Sequence, residues 1–206
     1  MVASRRQMYT KASRGALVES AIECFTTIGY DATSVSQLTE GAQLSKGAFY
    51  RHFTDKRSLF IELFVDRLTS AADLLSEAEA KIARLPRGQG IVVASMAAAE
   101  FASRSISDRV HRELLRQAPE VLGAELYNDI DNEHVLPQLL GLLRLLENRS
   151  EIVVGLPLPT LASLLLRVLC AGNTLVASSD DPERTKNEVL TSLAAFFLGV
   201  TSPDLR

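Results

Sequence analysis

The sequence holds few chain breakers, with 11 glycines and 7 prolines among 206 residues. So few breakers exclude a fold of many short strands and tight turns and favour long helices. Tryptophan is absent, and the only cysteines, Cys24 and Cys170, lie far apart in apolar stretches. Such a pair frames neither a disulfide scaffold nor a zinc site, so buried reduced thiols are expected. Histidine is scarce too: only His52, His111 and His134 occur. None has a second histidine four residues on, the spacing that sets two imidazoles on one helix face for a metal. Glu113, near His111, reads as part of a solvated charged face. A glycine-rich phosphate loop and a nucleophile elbow are also missing, so no catalysis and no metal or cofactor is expected. The longest apolar run, Leu161 to Val176, is broken by Arg167 and Asn173 and is too short to span a bilayer. The amino terminus MVASRRQMYTKASRG is basic but lacks the apolar stretch of a secretory signal. A soluble cytoplasmic chain with no membrane partner is the expectation.

Apolar residues make up 47% of the chain and charged ones 23%, enough to build a core and too balanced for a disordered tail. The net charge of −3 disfavours a polyanion partner, but its distribution favours one. Up to Arg57 there are eight Lys/Arg against five Asp/Glu, and beyond it fourteen against twenty. A basic head on an acidic body concentrates attraction for phosphate at one end.

Periodicity makes the chain all-α, with about nine helices. From Ala12 to Ile28, Ala16, Leu17, Ala21, Ile22, Phe25 and Ile28 recur at steps of three and four, and Gly29 ends that helix in the left-handed conformation. Ser34 and Gln37 form a capping box that opens a second helix with Val35, Leu38 and Ala42 inward. Ser45 caps a third that carries Phe49 inward, with Phe53 just beyond. Thr54 or Asp55 caps a long fourth helix with Leu59, Leu63, Phe64, Leu68, Ala71, Leu75, Ala78 and Ile82 as its stripe. Downstream, helices are expected over Ile91–Ser103, Asp108–Gln117 (stopped near Pro119), Glu120–Asn148 (kinked at Pro137), Pro159–Ser178 and Pro182–Leu198. The break between the second and third helices is only two or three residues. It sets them at a steep angle, so that one crosses a DNA backbone while the other lies in the major groove. Residues 1–55 then form a helix-turn-helix domain and residues 56–206 a larger helical domain. The outward positions of the third helix are Lys46, Gly47, Ala48, Tyr50 and His52. The two small residues allow close approach to base edges, and the longer ones reach bases or phosphates.

The stretch GYDATSVSQLTEGAQLSKGAFYRHFTDKRSLF, and above all SKGAFYRHF followed by Asp55 and Lys56, resembles the amino-terminal domain of the TetR family of one-component bacterial regulators. The resemblance implies a DNA-binding transcriptional regulator whose default action is repression, working as a homodimer on double-stranded DNA under small-molecule control. Carried onto matching positions, it implies phosphate contacts from Thr33 and Ser34 and a base or phosphate contact from Gln37. It also implies DNA contacts from Ser45 and Gly47, base contacts from Lys46 and Ala48, and phosphate contacts from Tyr50, His52 and Lys56. Arg5 and Arg6 would form a flexible arm for a neighbouring minor groove. Two positions depart from the family pattern. Gln43 stands where glycine is usual in the turn, so a slightly different turn geometry is expected, and Gly41 stands where alanine is usual.

A helix-turn-helix monomer makes too few contacts for a specific site, so a dimer is expected. The last two helices are apolar around much of their circumference and must be buried on two sides. Leu161, Leu165, Val168, Leu169 and Val176 on one, with Val189, Leu193, Phe196 and Phe197 on the other, are the candidate interface. The middle helices are the place for an effector pocket. Its candidate polar residues are Arg104, His111, Tyr127, Asn128, Asp131, His134 and Asn173, in leucine-rich surroundings that suit an apolar or amphipathic effector. Glu100 and Arg104, four apart, are spaced to pair with each other. The alternatives are a helical interaction module that binds no DNA, or an activator without small-molecule control.

Overall fold

Leu17, Ala21 and Phe25 recur at four-residue steps, and all three are fully buried. That stripe belongs to α1 (Arg5–Thr27) of a computed structural model that describes residues 5–205, apart from the side chains at 5, 6, 105 and 106. Among the described residues the fold is all-α. After α1 come α2 (Val35–Gly41), α3 (Lys46–His52), α4 (Lys56–Ile82), α5 (Gly90–Ser107), α6 (Arg109–Leu122), α7 (Ala124–His134), α8 (Leu136–Asn148), α9 (Leu158–Ala177) and α10 (Pro182–Val200). One isolated bridge, Ile152 with Thr201, is the extent of β pairing there.

The first three helices close on an aromatic core of Phe25, Phe49 and Phe53, with Phe60 from α4 completing it. The local signals in the sequence set these elements. Gly29 has φ +87° and ends α1. Ser34 and Gln37 make the reciprocal capping box of α2, Ser45 caps α3, and Asp55 caps α4 with Ser58 as its box partner. Gln43 takes the left-handed conformation itself, at φ +53°. The turn is thus made without a glycine, at a steric cost of about 1 kcal/mol for a residue with a Cβ. Gly41 also has a local reason. A Cβ there would stand 2.5 Å from the Ser20 hydroxyl, which donates to the Leu38 carbonyl at 2.9 Å.

Several expectations need correction. Helix α1 starts at Arg5, about two turns before Ala12, because no breaker interrupts RRQMYTKA. The backbone of Arg5 and Arg6 thus lies within a helix; their side chains, proposed as a minor-groove arm, lie outside the described residues. Ile28 is exposed. Pro119 does not stop α6, which runs on to Gly123 at φ +75°. The long helix expected from Glu120 is instead the end of α6 followed by α7 and α8, which makes ten helices rather than about nine. Pro137 is the cause. It has no N–H to donate and its ring excludes the preceding helical carbonyl, so the helix breaks at Val135 and restarts with the proline in its first turn. Helix α9 has 20 residues and, by length and composition, meets the requirement of a membrane span. In this fold its inner face is packed against α5, α6, α8 and α10.

Helix α4 carries the head into the body, and α6 lies beneath α1 and binds it by polar contacts. Arg109 donates to the Thr26 carbonyl at 2.9 Å. Arg57 donates to the last carbonyls of α6, those of Val121 and Leu122, at 3.1 and 3.0 Å.

Candidate nucleic-acid interface

Helix α3 is anchored by Phe49 and capped at both ends, which leaves one long edge in solvent. Lys46, Gly47 and Tyr50 are exposed on it, Tyr50 at 58%. The Tyr50 ring stands edge-on to Phe49 with centroids 5.3 Å apart, so its direction is fixed while its hydroxyl is free to reach outward. Arg51 is exposed on the same short helix and was not singled out from the sequence; its Nε reaches the Gly47 carbonyl at 3.3 Å. The available signal was the same spacing of four that ties it to Gly47. Ser45 is exposed, but its hydroxyl accepts from the Ala48 amide at 3.2 Å as the helix cap. Ser34 and Gln37 are exposed on α2, where the Gln37 Oε1 is engaged by the Ser34 amide and hydroxyl at 2.8 Å.

Four expected contacts are placed differently. Ala48 is buried, because its position in α3 faces the core rather than the groove. Thr33 is buried and its hydroxyl donates to the Gly29 carbonyl at 2.7 Å, so it holds the α1–α2 turn and presents nothing to a phosphate. His52 is half-buried, with Nε2 2.8 Å from the Ser13 hydroxyl. That hydroxyl already donates to the Thr10 carbonyl, so Nε2–H is the donor and the imidazole fastens α3 to α1. Burial, together with Arg14 and Arg51, holds its pKa below the usual imidazole value. Lys56 turns inward: Nζ donates to the carbonyls of Tyr30 and Thr33 at 2.5 and 2.7 Å and sits 4.0 Å from the Tyr30 ring centre. Burial lowers its pKa, against an opposing pull from Asp31. These last two residues are inner braces of the head. Of the other basic residues in the head, Arg14 is paired with Glu62, while Lys11 stays exposed. Among the described side chains of the first three helices, Lys11, Lys46 and Arg51 are the exposed cations outside an ion pair.

In the body, α4, α5, α8, α9 and α10 surround an apolar cavity of about 30 Å³, walled by residues such as Leu74, Leu75, Phe101, Leu139, Leu165 and Phe197. None of the seven polar effector candidates lines it. His111 and Asn173 form a buried pair between α6 and α9, with the Asn173 Nδ2 3.1 Å from the His111 Nε2. Tyr127, Asn128 and Asp131 gather on α7 around Arg167 and Cys170 of α9. Arg104 lies apart, bound to Ser70 and, at 3.9 Å, to Glu100 as the spacing suggested. His134 lies at the end of α7, beyond both groups.

The candidate interface residues divide by face. Leu165, Leu169, Val176, Val189, Leu193 and Phe197 are buried within the single chain, because an all-round apolar helix spends its inner stripe on its own core. Val168 is exposed, and Leu161 and Phe196 are half-buried. The solvent-facing stripe is Leu164, Val168, Ala171 and Leu175 on α9, with Leu198 on α10.

Comparison with known proteins agrees with this geometry. A family model for bacterial regulatory proteins of the tetR family matches residues 17–63, and one for the tetracyclin repressor-like C-terminal domain matches residues 93–200. The HTH-type transcriptional repressor AcnR of Corynebacterium glutamicum is 37% identical over 65 residues, 32% of this chain and 35% of that repressor. The chain thus spans about a third of the length of that relative. A TetR-family transcriptional regulator from Pectobacterium atrosepticum superposes with a TM-score of 0.76 at 22% identity, over 97% of this chain and 98% of that one. The regulator FadR of Bacillus subtilis, in complex with stearoyl-CoA, gives 0.67 at 19% identity over 87% and 97%. The two solved structures speak to the fold alone, whereas the two family models together take in both the reading head and most of the body. This chain belongs to the TetR family of bacterial regulatory proteins.

Proposed function

We propose that the chain is a DNA-binding transcriptional regulator of the cytoplasm, a repressor by default, that acts as a homodimer on a pseudo-palindromic operator. The observation that carries this reading is the outer edge of α3, where Lys46, Gly47, Tyr50 and Arg51 stand in solvent on a helix whose other side is locked by Phe49. A short, rigid, basic edge with a glycine at its base-facing point suits the major groove. The division follows the α3–α4 junction, with residues 1–55 reading DNA and residues 56–206 pairing and sensing. Pairing through the outward faces of α9 and α10 sets the two α3 helices about 34–36 Å apart, one helical turn of DNA. A small molecule held in the body tilts α4 and changes that separation. It needs only a few kcal/mol of preference for the splayed state to release the operator.

The repressors and regulators that this chain resembles support the reading. The test is selection of a duplex from a random pool, followed by titration at several salt concentrations. Lys46→Ala and Tyr50→Ala should each weaken binding by about 1–3 kcal/mol, and the lysine change should also lower the salt slope by about one. The dimer and its melting temperature should be unaltered. If both variants bind as the parent does, or if no duplex is held at low ionic strength, the reading fails.

A further inference from the structure

From Gln7 to Ala12 every residue of α1 is exposed, and Ser13 is the first buried one among the described side chains. Helix α1 thus projects past the head at its start. Helical stability in proteins comes mainly from a packed face, and this stretch buries none within the single chain. Two large side chains nevertheless stand on it, Met8 at 57% and Tyr9 at 68% exposure. Ser13 sets where the projection leaves the head. Its hydroxyl lies 2.8 Å from Nε2 of His52, the last residue of α3, so the extension emerges beside the carboxy-terminal end of that helix. Tyr9 precedes Ser13 by four residues. It therefore stands on the same face of α1, about 6 Å farther out along the axis.

We propose that Tyr9 is a second DNA contact of the head: its ring packs on a deoxyribose and its hydroxyl donates to a phosphate, on the strand that walls the groove holding α3. This contact extends the reading of α3 as the groove helix and rests on it. A recognition helix presents its amino-terminal residues to base edges, here Lys46 and Gly47. Its other end, at Arg51 and His52, then lies toward the groove wall, where the surface is sugar and phosphate. That is the end beside which α1 emerges. Charge argues for the same partner. Residues 1–18 contain Arg5, Arg6, Lys11 and Arg14 and no acid, and Glu62 answers only Arg14 among those whose side chains are described. So one-sided a charge suits a phosphate backbone. A tyrosine suits the margin of that backbone, since the ring covers apolar sugar while the hydroxyl reaches an anion. Such a contact fixes register and adds affinity but reads no sequence.

Binding is measured with the full chain on the duplex selected for it and on a scrambled duplex of equal length. Loss of one charge-assisted hydrogen bond should make Tyr9→Phe about ten-fold weaker on the selected duplex. Tyr9→Ala, which also loses the ring, should be weaker still, by about thirty-fold. Both changes should weaken the scrambled duplex by the same factors, and neither should alter the salt slope, because no cation is removed. Tyr9 is exposed, so melting temperature and helical content should match the parent's. Methylphosphonates, which neutralise one phosphate at a time, locate the contact. At one position in each half-site the neutral group should weaken the parent and leave Tyr9→Phe unmoved. The proposal is overturned if Tyr9→Ala binds as the parent does, if its loss is confined to the selected sequence, or if it melts lower. It is also overturned if every methylphosphonate acts alike on parent and variant. A parent that binds neither duplex sinks the reading of α3 and this contact together. A parent that binds, with Tyr9→Ala unaffected, loses this contact alone.

Discussion

The Gln117 side chain accepts a 2.6 Å hydrogen bond from the Tyr30 amide, 87 residues earlier in the chain, and donates to the Phe25 carbonyl at 3.0 Å. One carboxamide thus fastens α6 of the body to the last turn of α1 in the head. It also donates within its own helix to the Glu113 carbonyl at 2.8 Å, so the side chain is fixed from three directions. Gln117→Leu keeps the volume and strands the Tyr30 amide and the Phe25 carbonyl. The expected loss is about 1–3 kcal/mol in urea unfolding, or about 2–4 °C of melting temperature per kcal/mol in a chain of this size. An unchanged unfolding midpoint would show that water replaces the carboxamide and that the junction does not depend on it.

The outward stripe of α9 gives the pairing test. Leu164→Glu or Leu175→Glu places a charge at positions that are 57% and 60% exposed in the single chain, so the monomer should keep its fold. A charge in the middle of a dimer seam is left unpaired and desolvated. Sedimentation should show monomers at concentrations where the parent is dimeric, with unaltered helical content and weakened operator binding. Leu165→Glu and Leu169→Glu should instead unfold the chain, since both side chains face the core. If the Leu164 and Leu175 variants stay dimeric, pairing uses another face.

This contrast between neighbours shows what the sequence could disclose. Periodicity marked α9 as apolar on two sides, but it could not say which stripe its own core would claim, because leucines of both stripes look alike. The same limit misplaced Ala48 and Thr33, which are buried once the head has folded. His52 and Lys56 were legible as polar residues at the end of α3 and the start of α4. Their partners, the carbonyls of Tyr30 and Thr33 and the hydroxyl of Ser13, lie at sequence separations no local pattern spans. Caps and turns were legible because their causes are local. Ser34 with Gln37, Ser45, Asp55 and Gly29 each act within a few residues of themselves.

Glu151 is a buried carboxylate that holds the far end of the body together. Its side chain meets Arg149 Nε at 2.8 Å and the Ile91 amide at 3.0 Å, with the amides of Gly88 and Gly90 also turned to it. Helix α5 has no side-chain cap of its own, and this carboxylate takes that place. Gly90 is required there, since a Cβ would stand 2.7 Å from the Glu151 Oε2. Burial pushes the carboxyl pKa up, but the Arg149 and backbone hydrogen bonds outweigh it and leave the value below the usual glutamate range. A depressed carboxylate stabilises the fold above its unfolded pKa of about 4.3, and that contribution fades as pH falls through the folded value. Glu151→Gln leaves Arg149 without its anion and should cost about 3 kcal/mol at neutral pH. It should also flatten the acid limb of stability below about pH 4.3. A variant as steep as the parent in that limb would place the acid sensitivity elsewhere.

His111 should govern a separate window above that limb. Burial pulls its pKa down from 6.5 to about 4, with Arg104 and Arg67 adding to the effect and Asp108 opposing it. Because Nδ2 of Asn173 is a donor, Nε2 of the ring must be the acceptor, and protonation would set two donors face to face at 3.1 Å. The folded chain therefore resists a proton that the unfolded chain accepts. Stability from this group is complete above pH 6.5 and is lost as pH falls from there to the folded value. Over that window the loss is on the order of 3 kcal/mol. His111→Gln keeps an acceptor for Asn173 but does not titrate, so its urea midpoint should vary less with pH than the parent's over the same window. In the parent, the His111 ring resonances should stay those of a neutral imidazole at pH values where an exposed histidine is already charged. A ring that titrates at the ordinary value would mean that the α6–α9 seam opens to water and that the buried pair adds nothing to the fold.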